Sequence, residues 1–318
     1  MSGIELPDEP QQPLATPTVG ATGPAFPLNR WAKASALLEV LLAFILVHVA
    51  FRAIKHFTAL GHAEAEAGLN FTPGVVMILF TLGVLVLRRR RFATYGITLE
   101  QFGQNLKLGL FWGLLLVAGA GLLRLAGVRH VPGAKPPTMM EGVIYGLAAL
   151  AAVIAFVWLL SRQRMLLRRV PTALGIAVFI LVLCLPPAFA LHYGRPMGHM
   201  LLTVLWLTVG AGCGEEFFYR GYIQPRLNES FGRPFQLVGM QFGIGLLISA
   251  LLFGFLHVLN SVDYFQGRFT FAWGFGVANV FTGLLYGSLR ESAGSVVAPI
   301  VTHATLDVLV IIPAIISG

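Results

Sequence analysis

Nine apolar runs constrain this chain more than any other feature. They cover roughly residues 34–51, 73–87, 107–127, 142–160, 171–191, 198–219, 236–257, 271–289 and 294–316. A helix crosses about 30 Å of hydrocarbon with about 20 apolar residues, at about 1.5 Å per residue. Inside lipid every backbone donor and acceptor must be satisfied within the segment, which uninterrupted runs of this length achieve as helices. The expected fold is therefore all-α, a polytopic transmembrane bundle of eight or nine spans, the second run being short. Composition agrees, with 56% hydrophobic and 11% charged residues, about half the charge of a soluble domain.

The polar residues set organisation and topology. Residues 1–30 contain Pro7, Pro10, Pro13, Pro17, Pro24 and Pro27 with Asp8, Glu9 and no apolar run. Such a segment buries too little to fold, so a disordered tail is expected. It has neither the basic start nor the early apolar stretch of a cleaved signal peptide, and the first run is expected to stay as an anchor. Residues 31–197 then form N-terminal membrane helices and 198–318 a C-terminal core. The net charge is +8, but the basic residues fall between apolar runs with no interleaved aromatics. The expected partner is membrane lipid and not nucleic acid. Arg88, Arg89, Arg90 and Arg91 close one run, and Arg162, Arg164, Arg168 and Arg169 fill a later loop. The positive-inside rule makes both cytoplasmic, which places the N-terminus inside and collects 15 of the 22 Lys and Arg on that side. The expected location is an integral, multi-pass one, the inner membrane if the source is bacterial.

Strict alternation raises a difficulty. It puts Glu215 near the inner end of the sixth span and His257 near the outer end of the seventh. Either the seventh span begins deeper, or part of 222–240 is re-entrant or interfacial. The stretch "FATYGITLEQFGQNLKLG" after the arginine run fits an interfacial amphipathic segment or an ordinary polar loop. Cys184 and Cys213 lie in apolar surroundings with no CxxC spacing and imply no disulfide or redox role.

Ionisable groups inside spans cost on the order of 3 kcal/mol at a helix centre, so they pair, face a cavity and mark function. Residues 213–220 read "CGEEFFYR". Glu216 and Arg220, four apart with the acid first, share a helix face in the favourable order for an ion pair. Glu215 points elsewhere and is left free. His257 ends the run "LLISALLFGFLH", and the last run carries His303 and Asp307, four apart on one face. One Glu, two His and one Asp on three spans must meet inside the bundle. A carboxylate beside an imidazole in a confined cavity can hold a water and take its proton, with further donors opposite for an oxyanion. The same Glu215, His257 and His303 set could bind zinc with an open fourth position, although no HExxH signature is present. The bland readings also stand: charges marking a cytoplasmic helix end, a packed His257 and an intrahelical His/Asp pair. Cys213 lacks a basic neighbour and reads as a small buried residue. Glu39 and His48 read as an interfacial acid and a packed imidazole. "GAGCG" at 210–214 suggests close helix approach or local unwinding, and "GLLYG" at 283–287 a helix contact.

"EEFFYR", "FGFLH" and "HATLD", in that order on successive apolar helices, resemble the three motifs of the CAAX-protease and bacteriocin-processing family of intramembrane proteases, which includes the type II prenyl-protein endopeptidases. The resemblance covers roughly residues 198–316. It implies that Glu215 and His257 activate the attacking water, that His303 and the residue four later support the oxyanion, and that Glu216 and Arg220 complete the first motif. That later position is often Asn in the family and is Asp307 here, which cannot donate when ionised; orienting His303 is the better role for it. The family has been described both as metal-dependent and as glutamate-type, so both schemes stay open. The expectation is an intramembrane endopeptidase acting on a membrane-associated protein or peptide. The alternatives are a proton-coupled carrier using the same cluster, which should show interrupted helices in both halves, and a non-catalytic binding or immunity protein.

Overall fold

The computed structural model describes residues 30–126, 128 and 137–317. The tail expected at 1–30 lies, apart from Arg30, outside the described residues. Helices α1 (Arg30–Phe57), α2 (Ala59–Glu66) and α3 (Phe71–Leu87) are followed by a 3₁₀ turn at Phe92–Tyr95. Then come α4 (Phe102–Leu125), α5 (Met139–Arg168) and α6 (Thr172–His192). Residues Met197–Phe231 form one long helix. Within it, α7 (Met197–Leu205), α8 (Gly214–Phe218) and α9 (Gln224–Phe231) are joined by π-helical segments at Trp206–Cys213 and Tyr219–Ile223.

An antiparallel hairpin, β1 (Phe235–Leu237) and β2 (Met240–Phe242), leads into α10 (Ile244–Val258). A second small hairpin, β3 (Val262–Asp263) with β4 (Arg268–Phe269), precedes α11 (Trp273–Ala293), α12 (Val297–Val310) and α13 (Ile312–Ser317). Among the described residues seven helices are long and apolar enough to cross a membrane, and α3, at 17 residues, is a shorter apolar one. The protein is an all-α integral membrane bundle. Helix α11 is 21 residues long but outside those seven. It carries Asn279, Thr282, Ser288 and Arg290, and it packs between α5 and α10. A helix whose faces meet protein instead of lipid can carry such groups.

Two expected boundaries move. Helix α5 continues through Arg168, so Arg162, Arg164 and Arg168 lie on its last turns and not in a loop. Leu, Arg, Gln and Met are strong helix formers, and cations favour the helix C-terminus. The segment after Arg91 forms only the turn at Phe92–Tyr95, and Phe102 already starts α4. Tyr95 donates to Glu229 at 3.1 Å. Burial and then the Glu229 carboxylate push its phenol up to about 12, so it remains a donor at neutral pH.

The depth difficulty is resolved by the first hairpin. Residues 235–242 pair as strands, so the seventh span starts at Ile244 and not at 236. The preceding helix runs on to Phe231, beyond its apolar run. Glu215 then stands roughly 20–24 Å from Phe231 and His257 about 20 Å from Ile244, counted at about 1.5 Å per residue. Both reach the same level above the shared hairpin.

Gly74 of α3 faces the first π segment backbone to backbone: a Cβ on Gly74 would enter the backbone of Gly210, and one on Gly214 would enter that of Gly74. Overpacking of this kind destabilises by about 1–3 kcal/mol. Gly214→Val is expected to lower the melting temperature in detergent. Gly83→Val, where a Cβ meets nothing within 4 Å, should not. Equal melting temperatures for the two would show that the α3 contact does not limit stability.

Candidate active site

Glu215 and Glu216 sit on α8, the five-residue α-helical island between the two π segments. Gly210, Gly212 and Gly214 are poor helix formers, and π turns concentrate where a helix is bent to functional ends. The "GAGCG" stretch thus provides both features read from it, close approach to α3 and a widened helix.

Glu216 and Arg220 are fully buried and paired, Nη1 to Oε1, at 3.0 Å. The second arm of Arg220 donates to the Gly283 carbonyl at 3.0 Å. Its guanidinium lies 4.4 Å from the centroid of Phe253 and 5.3 Å from that of Tyr286. Aromatic faces attract a cation, most strongly when it is desolvated. The pair is the first rung of a ladder. Gln224 donates to the Gly287 carbonyl at 3.1 Å and to Glu291 at 2.8 Å, and Asn228 donates to Glu291. Arg220, Gln224 and Asn228 on the long helix thus meet Gly283, Gly287 and Glu291 on α11 step for step, which holds the two helices parallel. A Cβ on Gly283 would stand 3.2 Å from Nη2 of Arg220. The "GLLYG" glycines thus make the expected helix contact, to Ala250 and Leu246 of α10, and also admit the polar side chains of Arg220 and Gln224; the ladder was not anticipated. The matching four-residue spacing on both helices was its only sequence signal.

The catalytic candidates come together from three helices. His257 holds its Nδ1 2.7 Å from the Phe253 carbonyl. A carbonyl only accepts, so Nδ1 carries the proton and Nε2 is left as an acceptor. Nε2 faces Oε2 of Glu215 at 4.0 Å. That oxygen is buried and has no hydrogen-bond partner within the protein. His303 places Nδ1 3.0 Å from Oε1 of Glu216 and Nε2 3.3 Å from Oδ2 of Asp307. Its ring stacks on Tyr286 at 4.9 Å. Glu216 was expected to be neutralised by Arg220 alone; its carboxylate in fact joins Arg220 to His303. Next to His303, the Thr302 hydroxyl lies between two carbonyls, that of Ala298 in its own helix at 2.9 Å and that of Gly109 in α4 at 3.1 Å, which share its one proton.

Glu215, His257, His303, Asp307 and Tyr286 line one cavity of about 920 Å³. Cys213, half-buried, does not line it. Outside it, Glu39 accepts from Tyr222 at 3.0 Å and from Arg226 at 2.9 Å, and His48 packs edge-on to Phe51 and Tyr264. A zinc site of Glu215, His257 and His303 needs three lone pairs converging on one point. Both ring nitrogens of His303 already face carboxylates. Among the described residues no group of three or more His, Cys, Asp or Glu side chains is disposed to hold a metal. The set as arranged does not fit a three-ligand metal centre.

Residues 197–309 match the family model described as type II CAAX prenyl endopeptidase Rce1-like. No curated protein and no solved structure matches the chain. The match takes in the whole long helix and all four candidate residues, and leaves α1 to α6 outside it.

Proposed function

We propose, from the premise that residues 197–309 form an Rce1-like domain of a CAAX-type intramembrane protease family, that this protein is an endopeptidase in which Glu215 and His257 activate water against a peptide bond. The observation that carries the reading is the 4.0 Å gap between Oε2 of Glu215 and Nε2 of His257. Two hydrogen bonds of about 2.8 Å from a single water reach acceptors about 4 Å apart. A water there donates to both, which raises the nucleophilicity of its oxygen.

As the water oxygen bonds to the carbonyl carbon, its proton passes to Glu215 and the carbonyl oxygen takes up negative charge. Nε2–H of His303, held loosely by Asp307 at 3.3 Å, can turn to share its proton with that oxygen. Glu215 then delivers its proton to the leaving nitrogen, the C–N bond breaks, and a carboxylic acid and an amine result. Glu216 and Arg220 do not touch the substrate in this scheme. They position His303 from behind. The substrate is a membrane-associated protein or peptide; family membership does not make it a prenylated one.

Among the described residues the π interruptions are confined to the long helix. A carrier built on matching broken helices in both halves would place one in the N-terminal half as well, which favours the hydrolase. Because the residues do not fit a metal centre, full turnover is expected after exhaustive chelation, with no stoichiometric metal by elemental analysis. Activity lost on chelation and restored by zinc would overturn the water-activation scheme. Asp307→Asn keeps an acceptor for His303, and is expected to stay within about tenfold of wild-type kcat, whereas Asp307→Leu should lose about 10²-fold or more. Equal rates for the two variants would remove Asp307 from the orienting role.

A further inference from the structure

The peripheral elements that line the cavity arrive from the same ends of the helices. Arg52 and Lys55 lie in the last two turns of α1, Arg124 in the last turn of α4, His199 in the first turn of α7, and Ser261 just after α10. The arginine clusters lie at the opposite ends. Arg88 to Arg91 follow the C-terminus of α3, and Arg168 and Arg169 the C-terminus of α5. Apart from the short α2, and with α7 to α9 and α12 with α13 each counted as one span, the helices alternate in direction along the chain, so the mouth and the clusters face opposite sides of the membrane.

Charge is distributed unevenly along the cavity. Its carboxylates, Glu215 and Asp307, lie at mid-depth beside His257 and His303. Its mouth carries Arg52, Lys55 and Arg124 on two different walls; no carboxylate lines it there, and the two that act on these cations, Asp263 on Arg52 and Glu64 on Lys55, stand outside the lining. Arg52 donates to the carbonyls of Leu259 and Asn260 at 2.7 and 3.1 Å, while its Nε is buried without a partner. Among the described residues none of the three is within ion-pair distance of a carboxylate. Among the described residues five Lys and Arg fall on this face by alternation: Arg52, Lys55, Arg124, Arg195 and Arg268. Positive charge is disfavoured on the outer side, yet three of these five line a single opening. A cleft lined by one sign of charge concentrates ligands of the other. Three cations spread over two walls match more than one negative charge.

We infer that the cavity is loaded from the membrane face opposite the arginine clusters, the outer face, and that Arg52, Lys55 and Arg124 at its mouth receive an acidic stretch of an exported peptide. The inference rests on the proposed hydrolase only in calling that ligand a substrate. Side of entry and charge preference can be measured without any turnover, so the two readings fail separately.

The test uses the full chain carrying Cys184→Ser and Cys213→Ala, with a single new thiol at Ser261→Cys in the mouth or at Arg91→Cys in the exposed arginine cluster. Two membrane-impermeant thiosulfonates of opposite charge, sulfonatoethyl and trimethylammonioethyl, are applied to intact cells and to permeabilised ones. Ser261→Cys is expected to react in intact cells and Arg91→Cys only after permeabilisation. The anionic reagent should react with Ser261→Cys about tenfold faster than the cationic one, and Arg52→Gln/Lys55→Gln/Arg124→Gln should erase that preference. Thr203→Cys, also on the cavity wall, repeats the measurement should Ser261→Cys fold poorly. Mouth thiols that react only after permeabilisation, or not at all, overturn the side of entry. A cationic preference, or an anionic one that survives the triple substitution, overturns the role of the three cations.

Discussion

Glu215→Gln is expected to abolish turnover while leaving the fold intact. The amide has nearly the shape of the carboxylate, and Oε2 makes no hydrogen bond within the protein that the change would break. What is lost is the capacity to accept the proton of the attacking water. General-base catalysis contributes about 10²–10⁴-fold, and loss of the developing charge balance at the site adds to that. The measurement compares the membrane proteomes of cells carrying wild type and Glu215→Gln for precursors that accumulate, followed by cleavage of the leading precursor with purified full-length protein. Melting temperature in detergent serves as the folding control. Turnover retained in the variant would remove Glu215 from the base role. The converse pattern, equal loss of activity and stability, would make it structural.

Arg220→Met should act by a different route. The guanidinium is fully buried and serves Glu216, the Gly283 carbonyl and three aromatic faces, those of Tyr219, Phe253 and Tyr286, at once. Removing one partner of a buried ion pair leaves an uncompensated charge and destabilises by about 3–5 kcal/mol. A large drop in melting temperature is expected, with activity lost because Glu216 no longer holds His303. Adding Glu216→Gln removes the stranded charge, so the double variant should recover part of the stability but not the activity. Arg220→Met melting like wild type would place the network outside the determinants of the fold.

The contrast between these variants reflects two neighbouring carboxylates set apart by their surroundings. Glu216 is spent on Arg220 and His303, and Glu215 is left with an unused oxygen opposite an imidazole acceptor. The sequence hinted at this division through the four-residue spacing of Glu216 and Arg220. It could not indicate that His303, 87 positions away, completes the pair from the other side. Nor could it indicate that Phe253, by accepting from Nδ1 of His257, fixes which ring nitrogen faces Glu215.

The sequence by itself determined that the chain crosses a membrane repeatedly as helices and that its ionisable span residues crowd into the C-terminal half. Those properties are local: hydropathy, helical period and charge count act over one segment at a time. Tertiary structure alone decided the depth at which Glu215 and His257 meet, because a three-residue strand pair delays the start of α10. It alone also decided the parallel ladder between the long helix and α11, and the choice of Arg52, Lys55 and Arg124 as cavity wall. Each of these depends on how far one helix is rotated and shifted against another. That is set by backbone contacts such as Gly74 against Gly210, which no single segment encodes.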